Sequence, residues 1–183
     1  MKSPADYMNE IGAWADKCFP VHIPEYGIVE EIGETVHCIL KRAQKIRKMD
    51  KEEIFKPAIT DAFADTMIYL LHLCYLFNVT VSFDAHRALL PKLSGVSVYT
   101  DRAFISACLK CSATLLDYCD YAQPGQELQS NLFMVPCQKL CNTLFLWANQ
   151  YEVNLLETLD QTWEKVKQRQ WDKDRETAHE NVA

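Results

Sequence analysis

From residue 7 to 19 apolar side chains return every three or four positions, at Tyr7, Ile11, Trp14 and Cys18, which predicts an amphipathic helix. Pro20 and Pro24 bracket an extended connection, because proline and the residue before it resist helix. A longer helix is predicted over 26–47, with Val29, Ile32, Val36, Ile39, Ala43 and Ile46 as one buried stripe. Glu31, Glu34, Thr35 and Cys38 fall beside that stripe and should border a groove. Lys41, Arg42, Lys45, Arg47 and Lys48 make a basic end that suits the helix dipole. Residues 49–56 read as a polar turn, with Asp50 and Glu53 spaced as a capping box and Pro57 fitting a first helical turn. The next helix, ending near Phe77, is apolar almost all the way round. From Ala62 onward only Asp65, Thr66 and His72 interrupt it.

Residues 80–100 are less regular, with a short helix possible at 84–90 and a loop around Pro91 and Gly95. Helices at 102–121 and 131–151 follow, joined by a turn at Pro124 and Gly125, and a last, basic helix runs over 155–173. Both 70–81 and 144–155 are apolar helix ends that give way to a valine beside a small polar residue. This echo predicts two stacked hairpins, 26–78 and 102–151, with an N-terminal and a C-terminal helix against them. The expected fold is an all-α bundle spanning 1–183 as a single domain.

The 183 residues suit one sizeable core, and the net charge of −6 argues against a nucleic-acid coat or a binder of anionic membranes. The first ten residues lack a basic patch followed by an apolar segment, and the longest apolar run, 67–77, is too short for a span of about 20 residues. With eight cysteines in that setting, the expectation is a reduced, soluble, cytoplasmic protein with mostly buried thiols.

Chemistry enters with the carboxylates. At 100° per residue Asp61, Asp65, Ile68 and His72 share one narrow stripe of a helix that reads as buried. A buried carboxylate is costly unless it is paired, hydrogen-bonded or bound to a metal. Glu31 and Glu34 are neighbours one turn apart on the preceding helix, and an antiparallel hairpin brings both pairs together. Carboxylate oxygens in that number suit a hard cation, Mg²⁺ or Mn²⁺, with positions left for water and phosphate. Glu30 is explained by its place at a helix N-terminus. His72, two turns along the stripe, reads as a hydrogen-bonded core histidine.

Glu30-Glu31-Ile32-Gly33-Glu34, followed some thirty residues later by Asp65-Thr66-Met67-Ile68-Tyr69-Leu70-Leu71, resembles the MazG-like all-α nucleoside triphosphate pyrophosphohydrolases. The resemblance covers roughly 14–78. A further likeness at 157–171, with Trp163, Lys165, Lys167, Arg169 and Trp171, points to phage-encoded relatives, which act in the host cytoplasm. The family's glutamate three residues before the aspartate falls on Ala62 here, and Asp61 offers a carboxylate on the same face instead. The stretch 84–150 is longer than a minimal member has.

The resemblance implies hydrolysis between the α- and β-phosphates, giving a nucleoside monophosphate and pyrophosphate. It implies Glu31, Glu34 and Asp65 as catalytic and Glu31, Glu34, Asp61 and Asp65 as ligands of Mg²⁺ or Mn²⁺. Apolar helix faces left exposed and the short carboxylate hairpin predict a homo-oligomer, dimer or tetramer, whose partner subunits complete the pocket. Lys45, Lys48, Lys165 and Arg169 are candidate phosphate donors, and Trp14 and His22 candidate base contacts. Purine deoxynucleotides, dGTP or dATP, are the first expectation for substrate, with dUTP or dCTP as the alternative. A non-enzymatic alternative rests on Cys108, Cys111, Cys137 and Cys141, whose spacing resembles two halves of a zinc site in a helical interaction module. Because both pairs sit within apolar helices, buried free thiols are the simpler reading.

Overall fold

The computed structural model describes residues 2–83, 101–122 and 127–169, without the side chains of 127–130. Among these residues it is all-helical: α1 (Pro4–Cys18), α2 (Pro24–Ala43), α3 (Glu52–Leu76), α4 (Asp101–Tyr121), α5 (Glu127–Gln150) and α6 (Leu155–Val166). The expected short helix at 84–90 and the residues beyond 169 lie outside this description.

α1 starts earlier than its apolar repeat, because Ser3 and Asp6 form a reciprocal capping box and Pro4 takes the first helical position. α3 also starts early, at Glu52. The Asp50/Glu53 box does not form; Lys51 is the N-cap, without a side-chain bond, and Pro57 lies inside the helix. α6 stops at Val166, short of the expected 173, with Lys167 as its C-cap.

α3 is the central element. It packs against α1, α2, α5 and α6, while α4 pairs with α5 and also touches α2. The two expected hairpins, α2–α3 and α4–α5, are therefore stacked. Large rings fill the joint: Phe63 meets Trp147 edge-on at 5.3 Å, and Trp147 stacks on Phe104 at 5.9 Å. No described helix is long and apolar enough to cross a membrane.

α2 is turned relative to the expected stripe. Its buried positions are Pro24, Gly27, Ile28, Ile32, Thr35 and Cys38, whereas Val29 and Ile46 are exposed. The turn follows from Gly27, against which the Tyr69 ring lies so closely that a Cβ would come within 2.4 Å of it. This contact draws the Gly27–Ile28 side of α2 onto α3, and Glu31 goes inward with it. The opposite side keeps an apolar row in solvent, with Tyr26 61%, Val29 37% and Leu40 47% exposed.

Tyr75 uses Gly12 of α1 in the same way; a Cβ there would stand 2.2 Å from its ring. Gly12→Ala should therefore destabilise the fold by about 1–3 kcal/mol, as overpacking does, and lower the urea midpoint. An unchanged midpoint would show that α1 can lift off without cost.

The echoed helix ends share one geometry. Asn78 (φ 51°) and Glu152 (φ 53°) are left-handed, and the following valines donate back to Cys74 O at 2.8 Å and Ala148 O at 3.0 Å. Each is a Schellman cap, with Val79 and Val153 buried beyond it. α2 ends identically at Lys45 (φ 54°), with Ile46 N–H donating to Lys41 O at 3.1 Å. Since a side chain in this region costs roughly 1–2 kcal/mol, Glu152→Gly should stabilise the protein by about 1 kcal/mol in chemical denaturation.

Candidate functional site

The α2–α3 hairpin brings Glu31, Glu34, Asp61 and Asp65 within electrostatic reach of one another. Burial, and then the charges of Asp65, Glu34, Glu30 and Asp61, push the Glu31 carboxyl up to about 8. Burial also raises Asp65, to about 6; Asp61 and Glu34 add to the rise and the Arg169 guanidinium opposes it. Glu31 and Asp65 are half-buried, while Glu34 and Asp61 are exposed at the rim. Asp61 thus places a carboxylate beside Asp65, and Ala62 is buried in the core.

Among the described residues, no three His, Cys, Asp or Glu side chains stand close enough together to hold a metal ion. The donor set nevertheless fits a hard cation. It is oxygen-only and carries an excess of negative charge that folding has partly desolvated. Mg²⁺ in particular is held by one or two carboxylates, its other positions going to water and substrate phosphate.

The basic candidates separate. Arg169, just past α6, is near enough to oppose the raised pKa values of Asp65 and Tyr69. Lys45 and Lys48 are exposed on the α2–α3 connection, both in left-handed backbone, and Lys165 is exposed in the last turn of α6.

Next to the carboxylates lies a cavity of about 240 Å³. Phe19, Val21, Ile23 and Tyr26 form its apolar wall, and Glu30, Tyr69 and His72 supply its polar groups. Tyr69 joins the two regions: burial and then the Glu31 and Glu30 charges raise its phenol. Two other cavities, of about 420 and 360 Å³, lie at the α5–α6 turn and between α4 and α5.

Trp14 and His22, expected to contact a base, each sit one layer behind this cavity. Trp14 packs edge-on against Phe19 and against Trp163, both at 5.4 Å, and so ties α1 to α6. His22 Nδ1 lies 3.1 Å from His72 Nε2, and its Nε2 lies 3.6 Å from Asp16 Oδ1. The Tyr75 hydroxyl donates to Asp16 Oδ2 at 2.9 Å. His72 is hydrogen-bonded and buried as expected, yet it faces the cavity and not the aspartates. Sequence reasoning missed Tyr69, Asp16 and Tyr75; the one available signal was the pairing of each tyrosine with a helical glycine.

The cysteines of the zinc alternative are core thiols. Burial pushes Cys108 and Cys141 up to about 12 and raises Cys111, which disfavours the thiolates a metal needs. Cys137 is fully buried beside the equally buried Cys74.

No family model matches the chain, and neither a curated protein nor a solved structure is significantly similar to it.

Proposed function

We propose that the protein is a divalent-cation-dependent nucleoside triphosphate pyrophosphohydrolase, cleaving between the α- and β-phosphates. The observation that carries this reading is the meeting of Glu31 and Asp65, two partly desolvated acids with raised pKa values, with Asp61 and Glu34 on one hairpin. Such a cluster is unfavourable on its own, and a cation shared with a polyphosphate resolves it. The adjoining cavity gives the rest of a nucleotide a place to sit.

One or two of Glu31, Glu34, Asp61 and Asp65 would hold Mg²⁺ or Mn²⁺, its other positions going to water and substrate phosphate. Bound there, the cation would supply charge neutralisation of the triphosphate and would make a water easier to deprotonate. The carboxylate of Glu31 or Glu34 left free accepts the proton as water oxygen attacks the α-phosphorus. The bond to the α–β bridging oxygen breaks, and pyrophosphate departs. Arg169, already beside Asp65, pairs with phosphate oxygens as charge moves onto the leaving group, and Lys45, Lys48 and Lys165 add positive potential around it.

The exposed apolar row Tyr26, Val29 and Leu40 supports a homo-oligomer in which a second copy covers this side of α2. A gel-filtration mass equal to one chain would count against that part. For the reaction, the protein is incubated with each deoxynucleoside triphosphate and Mn²⁺, and release of monophosphate and pyrophosphate is followed. Equimolar appearance of both supports the proposal; no turnover of any triphosphate, or release of orthophosphate alone, overturns it.

A further inference from the structure

The turn between α2 and α3 carries charge that the proposed reaction hardly uses. Residues 41–51 hold six cations, Lys41, Arg42, Lys45, Arg47, Lys48 and Lys51, against one acid, Asp50. Arg42 is taken up within the fold: it pairs with Glu52 at 2.9 Å and lies 4.1 Å over the Phe55 ring. The other five make no ion pair among the described residues, and Lys45, Arg47, Lys48 and Lys51 are exposed. The helix dipole accounts for Lys41, in the last turn of α2, but the rest lie beyond its end. The carboxylate site does not account for them. α2 runs on for about 13 Å past Glu34 before the turn begins, and Arg169 is the cation that acts on Asp65.

Three of these cations stand in left-handed backbone, Lys45 and Arg47 at φ 54° and Lys48 at φ 60°. Glycine is the cheaper residue there, so the charges are kept against a conformational cost. Strain of this kind clusters in functional segments. Backbone bonds fix the turn: Met49 N–H donates to Ile46 O at 3.1 Å and Lys51 N–H to Lys48 O at 3.0 Å. Ile46 and Ile54 lie among and just beyond the charges, each 40% exposed, whereas Phe55, the one aromatic residue of 41–56, is fully buried.

We infer that this turn docks the protein onto an anionic bilayer surface, its cations on the lipid headgroups and Ile46 and Ile54 at the acyl boundary. Lysines with aliphatic side chains between them suit such a surface, which attracts the charge and takes up the apolar groups. Single-stranded nucleic acid is held instead by exposed aromatic rings beside the cations, and this segment has none. The contact is peripheral, since no described helix is long and apolar enough to cross a membrane. The net charge of −6 does not oppose it. Attraction to a charged surface fades over about 10 Å at moderate salt, so the side chains at the contact count and the far side of the bundle does not. The inference is independent of the nucleotide reading.

The test sediments the protein with vesicles of phosphatidylcholine, either alone or with about a third phosphatidylserine. The wild type should bind the second kind only, and should be released as salt rises from about 0.1 M to about 1 M. Each cation at the surface is worth about fivefold in partitioning, so Lys45→Gln/Arg47→Gln/Lys48→Gln should lower it roughly a hundredfold. Lys48→Gln alone should lower it about fivefold, and Ile46→Ser by a similar factor without changing the salt dependence. Circular dichroism melts establish that each variant folds. No binding to either kind of vesicle, equal binding to both, or unchanged binding in the triple variant overturns the inference. Tighter binding of a single-stranded or duplex oligonucleotide, read by fluorescence anisotropy, also overturns it and assigns the turn to nucleic acid.

Discussion

With Asp65 replaced by Asn, release of monophosphate and pyrophosphate is expected to fall roughly a thousandfold, the loss typical of removing one preorganised charge-stabilising group. The substitution keeps size and shape on a helix whose neighbours Ala64 and Thr66 are fully buried, so the packing of α3 is retained. It removes a carboxylate that burial and Asp61 already disfavour in the ionised form. Metal-free Asp65→Asn should accordingly unfold at a temperature equal to or higher than the wild type. Activity and melting should move in opposite directions, which separates a lost catalytic charge from a damaged fold. Wild-type turnover in Asp65→Asn would remove the basis for the carboxylate site.

The metal-free protein should lose stability as pH rises from about 6.5 to 8, with Glu31 as the main cause; below that range His72, held at about 4 by burial, contributes stability as pH rises and opposes the trend. Its pKa is higher in the folded chain than in the unfolded one, so folding favours the protonated form. The stabilisation is full below the unfolded value and is lost as the carboxyl ionises through about 8. Asp65 acts in the same direction, over a window ending near 6. Discounted for the partial exposure of the groove, the Glu31 contribution is on the order of 2 kcal/mol. Glu31→Gln should flatten this dependence. Mn²⁺ or Mg²⁺ displaces the protons, so cation-induced stabilisation should be larger at pH 8 than at pH 5. Urea midpoints from about pH 5 to 8, with chelator or with cation, check this; a wild-type profile that is flat between about 6.5 and 8 in chelator would contradict it.

The helical class and the acidic cluster were legible because both depend on short-range spacing. Glu31 with Glu34 and Asp61 with Asp65 share faces by helical geometry alone, and a polar turn between their helices suffices to join them. The burial of α2 was read about one residue out of phase. Its exposed side also carries apolar residues, Tyr26, Val29 and Leu40, so periodicity did not fix the phase. The choice is made by Gly27, whose lack of a side chain admits Tyr69 from a helix over forty positions away. The histidine pair was illegible for a related reason. Asp16, His22, His72 and Tyr75 lie on α1, the α1–α2 connection and α3, and no repeat links them in sequence. The early starts of α1 and α3 fall on polar residues, where the hydrophobic pattern carries no signal.

One aromatic ring, that of Tyr69, serves as both a wall of the cavity and the neighbour of the acidic groove. On the proposed nucleotide reading, a base that tilts this ring would also alter the surroundings of Glu31. On that reading, fidelity would be exercised twice, once when the nucleotide docks and again in how fast the phosphoanhydride breaks. Enlarging or shrinking position 69 should therefore blur substrate choice in kcat and KM together.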